Sequence, residues 1–242
     1  AGSPGADANA SGGAGLIEIA RSLREVLPQR TLKLVAFANE EPPFFPCGQM
    51  GSKLYATAAR ARGDDIRIML SLEMLGCYRD EPGSQAYPPC LKWFYPDRGN
   101  FIAFVSNLRS RRALDEAVRA FRAGSDFPAE RLASPAFVPG VSWSDQLSVW
   151  RAGYPALMVT DTAFFRNPNY HLPSDTIDTL DFTFMAEDVK SLELALLELP
   201  PAPTTPPHWQ DRSLRCANRA ALRSDTVYAR CAWIYTLKCA KQ

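Results

Sequence analysis

The order of apolar and polar positions predicts strands that alternate with helices along most of the chain. Four mostly apolar runs have the length of buried strands: 31–39, 66–75, 100–107 and 154–161. Four segments place their apolar residues with a helical period: 11–27, 50–63, 111–121 and 187–199. Strands alternating with helices in this way predict one α/β domain, with a mostly parallel mixed central sheet and helices on both faces.

The pattern changes after Leu199. Residues 1–199 are predicted to form the α/β domain, and residues 200–242 a proline-rich linker followed by a basic tail of unknown structure. From Gln210 onward, seven basic residues stand against two acidic ones. An amphipathic appendage and a partly disordered tail both fit this composition. His208, one of only two histidines, lies in the linker and is interpreted as a solvated side chain.

Amino-acid composition and net charge bear on which partners the protein can have. The 242 residues are 46% hydrophobic and 22% charged, and the formal net charge is +1. This balance gives no electrostatic reason to expect nucleic acid or an anionic membrane as a partner. No apolar stretch reaches the roughly 20 residues that cross a bilayer. The six cysteines form no C-x-x-C pair, so a cysteine-based structural zinc site is not indicated.

The first residues, AGSPGADANASGG, contain no initiator Met and no basic or apolar segment of a signal peptide. The domain is therefore expected to be incomplete at its N-terminus. Localisation stays open on these residues alone.

Acidic side chains occupy unusual positions at the ends of two predicted strands. Glu40 and Glu41 follow the run 31–39 and precede two prolines, and Glu73 interrupts the apolar run 66–75. A buried carboxylate is costly unless it is paired or bound to a cation. One of two adjacent carboxylates can hold a metal while the other accepts a proton from water. A pair of surface glutamates and a buried salt bridge are the alternatives.

His171 lies in the turn-rich segment RNPNYHLPSDT, soon after the run 154–161. An isolated histidine is usually structural. Together with the acidic strand ends, however, it completes a set of residues of the metal-ligand type.

Several segments, in order, match one family. PGADANASG, FANEEPPFF followed by MGS, LSLEMLG, SWSDQ and GYPALMVTDTAFFRNPNYHLPSDT resemble the co-catalytic zinc aminopeptidases. This family includes secreted bacterial leucyl aminopeptidases and is related to the glutaminyl cyclases. The resemblance extends from Pro4 to about Leu197, and the tail after Pro200 has no counterpart in it.

The resemblance implies peptide substrates, two zinc ions bridged by an aspartate, and a role for each candidate residue. Glu41 and His171 correspond to ligands of one zinc ion. Glu73 corresponds to the acidic ligand of the second. Glu40 corresponds to the general base that takes a proton from the attacking water. The relatives are often exported, which makes a periplasmic or extracellular location an expectation by resemblance.

Two departures from the family weaken the second zinc site. Ala8 occupies the position of the bridging aspartate, with Asp7 one place earlier, and the upstream H-x-D segment that supplies a histidine is absent from this chain. Two dications about 3.5 Å apart repel by roughly 19 kcal/mol at an effective dielectric of about 20. An alanine methyl group offsets none of that repulsion. We therefore expect at most one tightly bound zinc ion. Gln146 and Asn169 replace two further family histidines.

Three functions fit these residues. The first is an aminopeptidase-type metallopeptidase whose turnover is impaired in this chain. The second is a non-catalytic peptide-binding relative, and the third is glutaminyl cyclase-type acyl transfer. Side-chain preference and oligomeric state are left open, although Phe164, Phe165 and Tyr170 are candidates for lining a substrate pocket.

Overall fold

A mixed six-stranded sheet forms the centre of the protein. The computed structural model describes residues 2–26, 31–46, 48–89, 91–199 and, for its backbone, the strand 232–238. The predicted linker, His208 and most of the basic tail lie outside the described residues.

The strands and helices follow each other along the chain with short connections. The strands are β1 (Thr31–Phe37), β2 (Ile66–Glu73), β3 (Ile102–Asn107), β4 (Ala129–Ser134), β5 (Ala156–Thr160) and β6 (Ala232–Lys238). The helices are α1 (Gly12–Ser22), α2 (Gly51–Arg62), α3 (Arg111–Gly124), α4 (Gln146–Arg151) and α5 (Phe182–Glu198).

The strand order across the sheet is β1-β6-β2-β5-β3-β4. Strands β1, β6, β2 and β5 run parallel to one another. Strand β3 pairs antiparallel with β5 and parallel with β4. As a result, the carboxyl ends of β1 and β2 share one edge of the sheet with the amino ends of β3 and β4.

Helices cover both faces of the sheet. On one face, α1, α3 and α5 bury the main core, which includes Ile19, Leu72, Phe104, Phe121 and Leu192. On the other face, α2 and α4 bury a smaller core around Ala59, Met69 and Val149. The sheet alternates its side chains between these two cores, as its two-residue period requires. The predicted fold class is confirmed.

The described helices and strands differ from the sequence prediction in four places. Strand β4, helix α4 and strand β6 were not predicted, and α5 begins at Phe182 rather than at 187. Helix α5 begins there because Asp181 caps it: the Asp181 carboxylate accepts hydrogen bonds from the amides of Thr183 and Phe184. Strand β6 lies in the segment predicted only as a basic tail, and it pairs with β1 and β2.

The helices of the described residues can be compared with the length and hydrophobicity of a transmembrane helix. None of these helices is both long enough and apolar enough to cross a bilayer.

Candidate metal and substrate site

The carboxyl ends of β1 and β2 bring the predicted acidic residues to one region. Val35 and Ser71 both pair with Thr236 of β6, so Phe37 and Glu73 lie level with each other, two strand spacings apart. At about 4.8 Å per spacing, this separation is about 10 Å. Glu40 and Glu41 follow Phe37 by three and four residues, which leaves them close to the same edge.

Glu41 and His171 contact each other, as the predicted metal site requires. The Nε2 atom of His171 lies 3.7 Å from Oε1 of Glu41, and both side chains are partly exposed. Two ligand atoms that each lie about 2.1 Å from one tetrahedral zinc ion are separated by about 3.4 Å. The carboxylate and imidazole therefore have both the chemistry and the spacing of a zinc-binding pair.

The imidazole of His171 is oriented by its neighbour in the chain. Its ring stacks on Tyr170, with ring centroids 3.9 Å apart and an angle of 15° between the planes. The backbone of His171 is left-handed, with φ of 60°. This conformation is unusual for a residue other than glycine, and it turns the chain at the point where the side chain meets Glu41.

Glu73 is the last residue of β2 and is 5% exposed. Its Oε2 atom accepts a hydrogen bond of 2.7 Å from the hydroxyl of Ser144, which also lies 3.3 Å from the Ser71 hydroxyl. A carboxylate ligand held by such a hydrogen bond keeps its orientation when a metal binds. Ser144 belongs to the SWSDQ segment, whose loop reaches over β2 just before α4.

Glu40 is buried at 5% exposure, although it lies in a connecting segment. The preceding Asn39 has φ of 61°, which turns the chain out of β1. The Glu40 carboxylate therefore lies buried where the chain leaves β1.

The glycine-rich segment folds as a tight helical turn, Ala6–Ser11, ahead of α1. Its Asn9 side chain donates to the Leu72 carbonyl and accepts from the Met74 amide, at 2.8 Å in both cases. These two bonds hold the backbone on each side of Glu73. Gly12 permits this approach, because a Cβ atom there would lie 2.6 Å from Asn9 Oδ1 and 2.7 Å from the Leu72 carbonyl.

Asp7 is engaged away from the position of the bridging aspartate. Its carboxylate accepts hydrogen bonds from the Gly76 amide, the Ser11 hydroxyl and the Asn167 side-chain amide. The Asp7 residue is fully buried. The carboxylate therefore supports the turn after β2, and the structure gives it no freedom to replace the missing ligand.

Ala8 lies half-buried between the buried residues Asp7 and Asn9. Its amide donates to Oδ2 of Asp175, and the amide of Asp7 donates to Oδ1 of the same carboxylate. One carboxylate thus holds two backbone amides of the turn, while the methyl side chain of Ala8 offers no ligand atom.

A second group of potential ligand atoms lies behind the turn. Atoms of Asp7, Cys77 and Asp161 lie within 4.8 Å of one another, and all three residues are buried. Burial, followed by the charge of Asp7, raises the pKa of Asp161 well above its ordinary value. Burial, followed by the charges of Asp161 and Asp7, raises the pKa of the Cys77 thiol to about 12. Both shifts favour protonated groups over ligands.

Arg166 already supplies positive charge to this buried group. It is 4% exposed, and it donates to Gln85 Oε1 at 2.8 Å and to the Cys77 carbonyl at 3.1 Å. Its guanidinium also lies over the Phe101 ring, 4.6 Å from the centroid. Because protonation is favoured at Cys77 and Asp161 and a guanidinium already lies beside them, the Asp7–Cys77–Asp161 group does not fit a metal ion.

An open cleft of about 850 Å³ begins at Glu73 and runs across the sheet. Its walls are mainly apolar and aromatic, with lining residues that include Tyr87, Phe101, Val105, Val141 and Phe165. This lining is typical of sites that enclose an organic side chain.

Packed aromatic rings connect the cleft to His171. Phe164 packs against Trp143, Phe165 and Tyr170, with ring centroids 4.3–5.7 Å apart. Tyr170 in turn stacks on His171. The candidate pocket residues Phe164, Phe165 and Tyr170 all line the cleft.

The structure thus brings Glu41 and His171 into contact and places Glu73 at one end of the cleft. Glu40 lies buried in the segment that follows β1, close to the same edge of the sheet. Sequence reasoning did not assign a role to Asn9 or Ser144, although both belong to the segments that carry the family resemblance. It also missed Arg166, whose partners are distant in sequence.

The mixed sheet with helices on both faces has the architecture of a zinc exopeptidase-like α/β domain. Residues 1–192 match the family described as Peptidase family M28. The chain belongs to Peptidase family M28, and the resemblance inferred from its motifs is confirmed.

Two curated proteins with similar sequences show how the chain relates to longer proteins. The chain is 46% identical over 187 residues to the uncharacterised protein YfbL of Escherichia coli K12, covering 77% of this chain and 57% of YfbL. It is 27% identical over 197 residues to a probable leucine aminopeptidase of Arthroderma benhamiae, covering 77% of this chain and 45% of that protein. The chain therefore spans about half the length of the curated relatives it matches.

A solved structure with the same fold is BSAP, a zinc aminopeptidase from Bacillus subtilis. The TM-score is 0.54 at 20% sequence identity, and the match covers 81% of this chain and 42% of BSAP. At this identity the similarity concerns the fold alone.

Proposed function

We propose that this chain is a zinc-binding metallopeptidase domain that acts on the N-terminal residue of peptides. The observation that carries the proposal is the 3.7 Å contact between Glu41 and His171 beside the apolar cleft. Glu41 and His171 would hold one zinc ion, and Glu73 would be the acidic ligand of the second. A bound zinc ion would supply Lewis acidity to the carbonyl group of the scissile peptide bond.

Glu40 would accept the proton from the attacking water and later donate it to the departing amine. With only one zinc ion bound, the carboxylate of Glu73 would attract the free amino group of the substrate with its negative charge. The aromatic cleft would enclose the first side chain and exclude water from it.

Ala8 gives a reason to expect weak catalysis. With no carboxylate at this position, a second zinc ion would be repelled by the first without compensation. We therefore propose that the chain binds at most one zinc ion tightly and turns over peptides slowly. A protein that binds zinc and peptides without hydrolysing them is the non-catalytic alternative.

Zinc titration of the chelator-treated protein tests the proposal directly. We expect one tight equivalent by calorimetry, and loss of at least about tenfold in affinity for His171→Ala and for Glu41→Gln. Asp178→Asn, at an exposed position, is the control. Release of nitroaniline from leucyl-p-nitroanilide then separates a slow peptidase from a binding protein. Zinc affinity that is unchanged in both ligand variants would refute the metal site.

A further inference from the structure

A row of four residues crosses the floor of the cleft. Glu73 of β2 pairs with Thr160 of β5, Thr160 pairs with Ala103 of β3, and Ala103 pairs with Glu130 of β4. Residues directly opposite each other on paired strands present their side chains to the same face. Glu73 and Glu130 therefore mark two ends of one floor, and all four residues line the cleft.

The Glu130 carboxylate lies in an environment that suits a cationic group. Among the residues described in the structure, its side chain has neither a hydrogen bond nor a salt bridge. Burial raises the pKa of Glu130, and the nearby charge of Arg122 only partly opposes this shift. Its cleft neighbours include Tyr87, Tyr95 and Leu132, so the carboxylate stands at the end of a mainly apolar cleft, which Arg131 also lines.

The two arginines near Glu130 already interact with other groups. Arg131, the next residue of β4, forms a salt bridge with Asp115 of α3. Arg122 donates through Nη2 to the Ala129 carbonyl. The Glu130 carboxylate therefore remains available to a ligand that enters the cleft.

We propose that Glu130 selects peptides whose first residue carries a cationic side chain, lysine or arginine. The inference rests on the proposed function, because that function places the substrate amino group near Glu73. The aromatic walls suit this substrate class as well, since the stem of lysine or arginine is apolar. A charge-assisted hydrogen bond to Glu130 would then complete recognition at the far end.

The length of the row fits such a side chain. Three strand spacings of about 4.8 Å put the Cα atoms of Glu73 and Glu130 about 14 Å apart. Subtracting about 3 Å at each end for polar contacts leaves about 8 Å. An extended arginine spans about 7–8 Å from its amino nitrogen to its guanidinium, given bonds near 1.5 Å. A leucine side chain ends well short of Glu130.

Arginine and citrulline provide a matched pair of ligands, because citrulline has nearly the same shape and no charge. Calorimetry measures the dissociation constants of L-argininamide and L-citrullinamide with the 242-residue protein in zinc-containing buffer. We expect at least about tenfold tighter binding of argininamide, as a charge-assisted hydrogen bond implies. In Glu130→Gln the ratio should fall to near one, with citrullinamide binding unchanged. Glu130→Asp should retain part of the preference.

Glu18→Gln is the control for the loss of one negative charge, because Glu18 lies exposed on α1, on the opposite face of the sheet. It should keep the full ratio. Equal binding of the two amides by the wild-type protein would overturn the inference, as would binding of neither at millimolar concentration. A ratio that persists in Glu130→Gln would also overturn it.

Hydrolysis separates this inference from the proposed function. If leucyl-p-nitroanilide is cleaved and the two amides bind equally, the peptidase proposal stands and the role of Glu130 is refuted. If argininamide is preferred through Glu130 but neither zinc uptake nor hydrolysis occurs, the selectivity of the cleft stands and the metallopeptidase proposal is refuted.

Discussion

Asn9 holds the backbone on both sides of Glu73, through its hydrogen bonds to the Leu72 carbonyl and the Met74 amide. The glycine-rich turn therefore does more than begin α1, because it fixes the strand end that carries a candidate ligand. Ser144 fixes the carboxylate of the same residue from the opposite direction. Glu73 is thus constrained at both its backbone and its side chain before any ligand is present.

Replacing Asn9 with alanine should destabilise the protein. The variant leaves a buried carbonyl and a buried amide without partners, and each such loss costs about 1–3 kcal/mol. We expect the free energy of unfolding to fall by about 2–4 kcal/mol, measured by urea denaturation followed by circular dichroism. Asn100→Ala is the control, because its hydrogen bond to Asp80 lies at the surface. Equal stabilities of the two variants would contradict the role of Asn9.

Gly12→Ala should disturb the contact between Asn9 and the Leu72 carbonyl. The added methyl group would lie 2.6 Å from Asn9 Oδ1 and 2.7 Å from the Leu72 carbonyl, so the turn or β2 must move. Overpacking of this kind costs about 1–3 kcal/mol, against a gain of up to about 1 kcal/mol in helix propensity. A lower midpoint of thermal unfolding is therefore expected. Gly48→Ala, with only the Lys53 ammonium nearby at 3.7 Å, should leave the midpoint unchanged.

Most of the sheet and the acidic strand ends could be predicted from sequence, for a physical reason. Buried parallel strands such as β2 and β5 are continuous apolar runs, and a glutamate that interrupts one, as Glu73 does, is conspicuous. Strand β4 escaped prediction because AERLAS, at the edge of the sheet, has two adjacent charged residues and only one large apolar residue. Helix α4 has only six residues, too few to show a period.

The supporting residues of the site could not be predicted in the same way. The partners of Asp7 include Gly76 and Asn167, which lie 69 and 160 positions away in sequence. The row from Glu73 to Glu130 depends on the register of four strands and on the antiparallel pairing of β3 with β5. No local pattern contains that information, because register is set by the packed sheet.

Asp188 should make stability depend on pH. It is fully buried on α5, and burial raises its pKa to about 8, with the Tyr78 hydroxyl and Arg166 only partly opposing the shift. In the unfolded chain the same group ionises near pH 4. Between these values the folded state holds one more proton than the unfolded state. The free energy of unfolding should therefore decrease as pH rises, by about 1.4 kcal/mol per pH unit from this group.

Urea denaturation of Asp188→Asn from pH 5 to pH 8 measures this contribution. The variant is neutral at every pH, so its stability relative to the wild-type protein should increase steadily across the range. Asp126→Asn, at an exposed position, should follow the wild-type curve. A constant difference between Asp188→Asn and the wild-type protein would show that Asp188 is already ionised in the folded state.

Ala8→Asp should strengthen zinc binding. Ala8 lies half-buried in the turn that positions Glu73, at the place where the family resemblance puts a bridging aspartate. A carboxylate there would offset the repulsion between two zinc ions, and we expect the affinity for a second equivalent to rise by at least about tenfold, as other changes around metal sites do. Calorimetric titration and the zinc content after dialysis measure this change. Ala10→Asp adds the same charge two residues away at an exposed position, and it should have no such effect. If the two variants bind zinc equally, position 8 does not face the metal site, and the explanation of weak turnover through Ala8 is wrong.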